Sequence, residues 1–216
     1  FNANDTVAVV IDAHEPYNGT YYIQTATPDF DSFTTAALAL NDWGIDGPVT
    51  ILAANGTYAE SFVLTPVPGA SATNTVEFSS VSGVNTDVVI EFANTSTQNY
   101  VVKLDSADYI TFSDMSMRST STATYGRIIE LANSADYNQF ENLILTGING
   151  SSNSSAVIYS GSTGSETGNV FTGNTIDQGY YSVYFYGSST NHKLANYFVD
   201  NTISNFEYYG LYLYYN

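Results

Sequence analysis

The chain has 216 residues and is 44% hydrophobic, enough to bury a sizeable core as one domain and too apolar for intrinsic disorder. Lys and Arg number 4 against 21 Asp and Glu, and the resulting net charge of −17 repels phosphate, which argues against nucleic acid and anionic membrane surfaces as partners. Cys is absent, so disulfides, thiolate metal sites and cysteine nucleophiles are excluded together. Charged residues make up only 12%, whereas there are 19 Tyr and 12 Phe, a composition that fits a secreted or cell-surface protein better than a cytosolic enzyme. No stretch is apolar enough to insert in a membrane as a helix. Residue 1 is Phe, read here as the start of a processed or trimmed chain. Asn-x-Ser/Thr triplets begin at Asn4, Asn18, Asn55, Asn94, Asn149 and Asn153, although chance produces many in a chain of this composition.

Residues 1–26 read as an N-terminal strand segment, whose run Thr6–Ile11 could pair in trans with a neighbouring molecule. Residues 27–46 read as a capping helix: Asp29 is a candidate N-cap, Phe30, Phe33, Ala36, Ala37 and Leu40 form an apolar stripe, and Gly44 is a stop. Residues 47–216 alternate short apolar runs with Gly, Asn, Ser and Thr. The strands expected there are Val49–Leu52, Phe62–Leu64, Val76–Phe78, Val88–Phe92, Tyr100–Leu104, Tyr109–Met117, Arg127–Leu131, Asn138–Leu145, Ala156–Tyr159, Asn169–Ile176, Ser182–Tyr186, Asn196–Ile203 and Gly210–Tyr214.

Internal repeats choose among a sandwich, a barrel and a solenoid. Ser106-Ala107-Asp108-Tyr109 returns as Ser134-Ala135-Asp136-Tyr137, each followed by Phe three residues on. Phe112, Phe140, Phe171 and Phe198 recur at intervals near 28, and Met117, Leu145, Ile176 and Ile203 follow them by five residues. Each coil of a parallel β-helix sets an inward residue above its counterpart, roughly 4.8 Å along the axis. The fold class is therefore all-β, a parallel β-helix solenoid with a short N-terminal capping helix. Gly47-Pro48-Val49-Thr50-Ile51, then Asn55-Gly56-Thr57-Tyr58-Ala59-Glu60 and the Asn-Thr-Ile repeats, resembles the right-handed parallel β-helix repeat region of secreted bacterial surface proteins, similar in fold to the pectate-lyase superfamily. That resemblance implies the right-handed form. It says little of function, because the fold hosts lyases, hydrolases, adhesins and structural modules.

The chemistry-bearing residues are few. Lyase chemistry needs a cationic base, and the whole inventory is Lys103, Arg118, Arg127 and Lys193. Lys103 and Arg127 fall on neighbouring coils of one face, where they serve either as a site or as outward solubilising residues. Polygalacturonase-type hydrolases carry Asn-Thr-Asp, Asp-Asp, Gly-His-Gly and Arg-x-Lys motifs, none of which is present, and neither His14 nor His192 has the pattern of a catalytic base. Asp108 and Asp136 should stack, as turn residues or bridged by Ca²⁺; no other cofactor is indicated. Asn142, Asn174 and Asn201, with Asp114, fall at the bend after the Phe strand and read as a structural ladder. Strand alternation points Val183, Phe185, Leu211 and Leu213 inward and Tyr184, Tyr186, Tyr212 and Tyr214 outward, a four-ring panel suited to a glycan or to another protein. The apolar last strand adds an exposed edge. These features lead to the expectation of a non-enzymatic, extracellular structural or adhesive protein that self-associates head to tail, a filament subunit. The alternative is a carbohydrate-binding or carbohydrate-degrading β-helix domain.

Overall fold

The computed structural model describes residues 14–122 and 124–215; the run Thr6–Ile11 lies outside them. The chain is an all-β parallel solenoid of about seven turns, with one short α-helix among the described residues. Three sheets run along its length. The first has seven strands: Tyr17–Ile23, Ile45–Ala53, Val76–Ser80, Ile110–Ser113, Gln139–Glu141, Val170–Thr172 and Tyr197–Val199. The second has six: Gly56–Ala59, Val88–Phe92, Ser116–Ser119, Ile144–Thr146, Thr175–Asp177 and Thr202–Ser204. The third also has six: Phe62–Leu64, Val102–Asp105, Ile129–Ala132, Ile158–Ser160, Tyr181–Tyr186 and Tyr209–Tyr214.

The four longest expected strands are each two strands with a corner between them. The corner residues are Asp114, Asn142, Gly173 and Asp200, all at positive φ. Asp and Asn tolerate this left-handed backbone better than other side chains, and Gly has no penalty at all, so the corner is written in residue type. The corner column corrects the expected ladder by one position. Asn142 belongs with Asp114, to which it donates at 2.7 Å, whereas Asn174 and Asn201 sit one residue further on, level with Leu143. Tyr17–Ile23, inside the N-terminal segment expected to hold a strand, pairs within the chain as the first rung, against Ile45–Ala53.

Inside, like stacks on like. Phe78, Phe112, Phe140, Phe171 and Phe198 form one pile with successive centroids 5.1, 6.0, 4.6 and 4.7 Å apart and rings within 11° of parallel. Ile90, Met117, Leu145, Ile176 and Ile203 form the aliphatic column of the second sheet. Two asparagine ladders border these columns. Asn138, Asn169 and Asn196 lie two residues before their Phe. Asn169 Oδ1 accepts from the Asn138 backbone at 3.0 Å, and its amide donates to Ala135 and Asn196 at 3.0 Å each. Asn174 repeats the scheme with Leu143, Phe140 and Asn201.

The helix is Phe33–Trp43, and Gly44 ends it as expected. Its N-cap is Ser32 rather than Asp29, in a reciprocal box with Thr35; Asp29 instead accepts from the Tyr22 backbone at 2.8 Å. The first turn has no acid of its own, but Glu60 of the neighbouring coil accepts from the Phe33 and Thr34 backbones at 3.1 and 2.8 Å. That carboxylate complements the positive helix end and docks the helix, while Phe33, Ala36, Ala37 and Leu40 bury their stripe on the first coils.

Phe140→Ala and Phe171→Ala each remove a ring that is fully buried between two others. The expected loss is about 3–5 kcal/mol, read as a fall in denaturation midpoint with an unchanged denaturant slope.

Candidate functional site

The outward face of the third sheet carries the densest chemistry. Register pairing places Val63, Lys103, Glu130, Tyr159, Tyr184 and Tyr212 in one axial column. Tyr159 and Tyr184 stack at 5.5 Å and 1°, Tyr184 and Tyr212 at 5.2 Å and 10°. In the next column Tyr186 and Tyr214 stack at 5.0 Å, and Tyr184 meets Tyr186 at 5.8 Å. The four tyrosines expected to share a panel are thus brought together. Val183 and Phe185 point inward and are fully buried, whereas Leu211 and Leu213 continue the inward columns of the last described coil and are 43% and 45% exposed. Tyr159 was missed as a panel member, although alternation along Ala156–Tyr159 points it outward. Burial raises the Tyr184 phenol above its ordinary value and the neighbouring phenols add to it, against a smaller opposing effect of its hydrogen bond with Asn153.

At the foot of the Tyr column lies a charged cluster. The Arg127 guanidinium sits 3.3 Å over the Tyr159 ring, donates to Glu130 at 2.7 Å and to the Asn153 carbonyl at 3.2 Å. Lys103 pairs with Asp105 at 2.9 Å, directly across the rung from Glu130. Burial pushes Asp105 up, but bonds from Lys103 and Asn133 and the Lys103 charge outweigh it and hold the carboxyl below its ordinary value. Arg127 and Glu130 side chains are only 15% and 16% exposed. Lys103 and Arg127 therefore face outward as expected, yet they are held in an ionic network rather than free in solvent. Lys193 departs further from a solubilising role: it is buried, ion-paired with the buried Glu166 and bonded to the Gly164 carbonyl at 2.6 Å. Ser160 and the Ser134 backbone complete the Glu166 shell at 2.7 and 3.1 Å, which is why this buried pair is tolerated.

Asp108 and Asp136 do stack, and each caps the coil above. Asp108 accepts from the Asp136 backbone and Asp136 from the Thr167 backbone, both at 2.7 Å. Burial raises both carboxyls above the ordinary range, with the backbone bonds pulling the other way. Among the described residues no group of three or more His, Cys, Asp or Glu is arranged to hold a metal ion. His14 packs on Tyr17 and Trp43, and His192 on Tyr215. Asn94, one of the glycosylation triplets, is buried and bonded to the Arg127 carbonyl at 2.8 Å.

The first sheet bears a cleft of about 220 Å³ on its outer face, bordered by Tyr109, Tyr137 and Gly168 along one side and floored by Thr111, Gln139 and Val170.

No protein-family model and no curated protein sequence matches the chain. Among solved structures, the chain is similar to a pectin methylesterase mutant in complex with a hexasaccharide, at 15% identity and a TM-score of 0.53. The match covers 81% of this chain and 53% of the other, so the chain spans about half the length of that enzyme. At this identity the likeness establishes the fold, the right-handed parallel β-helix. It also corrects the expectation of a non-enzymatic protein. That expectation rested on absent lyase and glycosidase motifs, and neither motif set covers ester hydrolysis, the chemistry named for this neighbour.

A carboxyl whose value is raised by folding binds protons better in the folded chain, so its contribution to stability grows as pH falls from neutral through the raised value. Asp136→Asn keeps an oxygen for the Thr167 N–H and removes the half-buried charge. The expected outcome is a higher thermal midpoint at neutral pH and a flatter midpoint-against-pH curve on the acid side, followed by circular dichroism.

Proposed function

We propose that the chain is a carbohydrate-active β-helix that engages a polysaccharide on the third sheet, with chemistry centred on Arg127 and Glu130. The observation that carries this reading is the Arg127 guanidinium clamped between the Tyr159 face and Glu130, opposite Lys103, at the foot of a tyrosine column. Two of the four cations of a chain with net charge −17 meet there. A guanidinium and an ammonium group, both restrained, stabilise negative charge developing on an acyl or glycosidic oxygen, and the adjacent carboxylate is placed to accept a proton. The Tyr column offers hydroxyls and ring edges along the axis, the direction in which an extended glycan would lie. The neighbouring fold was captured with a hexasaccharide, which supports this class of ligand. The overall negative charge favours neutral or esterified polysaccharides over polyuronates. An extracellular or cell-surface location, expected from composition, accompanies this reading; among the described residues no helix is long and apolar enough to cross a membrane.

The test is a polysaccharide panel, methyl-esterified pectin included, assayed for retention on the glycan and for release of methanol, reducing ends or unsaturated products. Tyr184→Ala with Tyr212→Ala should weaken retention about tenfold or more. Arg127→Ala should cut product release roughly a hundredfold. Neither retention nor product with any polysaccharide sinks the proposal. The same panel suits a second copy of the chain, and sedimentation of the pure protein separates the two: concentration-dependent growth abolished by the double Tyr variant, without glycan retention, marks self-association.

A further inference from the structure

The first-sheet cleft lies on a different face from the charged cluster and has a different chemistry. We propose that it is a separate carbohydrate subsite that seats one neutral pyranose ring, with Tyr109 and Tyr137 as its wall and Gln139, Thr111 and Thr75 as its hydrogen-bonding groups. Four observations converge on it. First, Tyr109 and Tyr137 hold left-handed backbone, at φ of 61° and 57°, in the column where the next coil has Gly168 at 71°. Large aromatic residues rarely occupy that region, and such strain concentrates where geometry serves a function. Here it stands two parallel rings, 5.4 Å apart, along the cleft. Gly168 is what lets Tyr137 lie flat on the next coil, since a Cβ there would come within 2.6 Å of the ring.

Second, the polar side-chain ends of all five residues form no hydrogen bond within the described structure, whereas outward hydroxyls nearby are engaged: Ser113 donates to Glu77 at 2.8 Å and Ser116 to the Asn85 carbonyl at 2.6 Å. Several unpartnered donors and acceptors converging on a concave, otherwise apolar surface are what a hydroxyl-rich ligand satisfies. Third, no charged side chain lines the cleft, and the nearest on the same strands are the acids Glu77 and Glu141, so an anionic sugar is disfavoured. Fourth, about 220 Å³ is below the roughly 300–1,000 Å³ of sites that take drug-sized ligands, and suits a single ring. The inference does not rest on the reading of the third sheet.

The experiment is a titration of the isotope-labelled chain with D-glucose, D-galactose and D-galacturonate, followed by amide shifts in two-dimensional NMR. The neutral hexoses should move the Gln139 side-chain amide and the Thr111, Gln139 and Val170 backbone amides, with galacturonate weaker. Thr111→Val should weaken the neutral hexoses about fivefold, the loss of one hydrogen bond. Gln139→Trp, at an exposed position that tolerates substitution, should fill the cleft and abolish these shifts. Shifts confined to Tyr159, Tyr184 and Tyr212 would support the third-sheet site while overturning this one. No shift with either hexose, or shifts unchanged in both variants, overturns it as well.

Discussion

The amide of Asn169 holds the structure in register from three directions at once: the coil below through the Asn138 N–H, a carbonyl through Ala135, and the coil above through Asn196. Asn174 does the same at the next corner. Each amide is buried, so a slip of one residue would leave it unsatisfied, at a cost of about 1–3 kcal/mol per group. The same slip would turn Phe112, Phe140 and Phe171 out of their pile, because side chains alternate with period two. Polar corners and aromatic interior therefore enforce one alignment, and every surface feature inherits it. The tyrosine panel exists because Tyr184 and Tyr212 are held one rung apart by the same pairing that stacks Val183 on Leu211.

Register also organises the charge. All four cationic side chains are ion-paired: Lys103 with Asp105, Arg118 with Glu91, Arg127 with Glu130 and Lys193 with Glu166. Several carboxylates serve the backbone, Glu60 at the helix start and Asp108 and Asp136 at the turns. Because the rungs are parallel and in register, opposite charges one coil apart face each other, as Arg118 does Glu91 and Lys103 does Glu130. The positive charge of the third-sheet face is thus local, set in a molecule whose long-range field is negative.

How much of this was legible in the sequence follows the same geometry. The Phe pile, the aliphatic column and the outward Tyr pairs were readable because they repeat a residue type at a constant interval. The corners were not separated from the strands, because Asp114, Asn142, Gly173 and Asp200 share a backbone conformation rather than a side chain. Asp29 and Ser32 are both capable caps, and the reciprocal box of Ser32 with Thr35, together with the docking of Glu60 on the first turn, decides for Ser32. The Arg127 cluster was half visible: Lys103 and Arg127 were seen to share a face, but the partner ring, Tyr159, and the partner acid, Glu130, depend on which residues the rungs set side by side. Lys193 could not have been read as buried, since its partner Glu166 lies in the preceding coil, within a loop that breaks the repeat. The cleft was invisible for the opposite reason, since its signal is a backbone sign at Tyr109 and Tyr137 that no composition or spacing carries.

Stacking limits what an aromatic ladder can bind. Rings in register cover one another's faces, and Arg127 covers the outer face of Tyr159, so the third-sheet column meets a ligand with edges and hydroxyls. Such a surface contributes polar contacts repeated at each rung and little face-on ring stacking, which favours an extended chain of repeating units over a lone ring. The first sheet differs in its length of repetition rather than in its stacking, since Tyr109 and Tyr137 also lie parallel. There the aromatic column stops after two rings at Gly168 and the floor is Thr111, Gln139 and Val170, so the hydrogen-bonding groups gather in one cleft of about 220 Å³ rather than along the axis. One solenoid thereby presents two surfaces of different reach, a track and a socket, from a single rule of vertical repetition and the places where that repetition is broken.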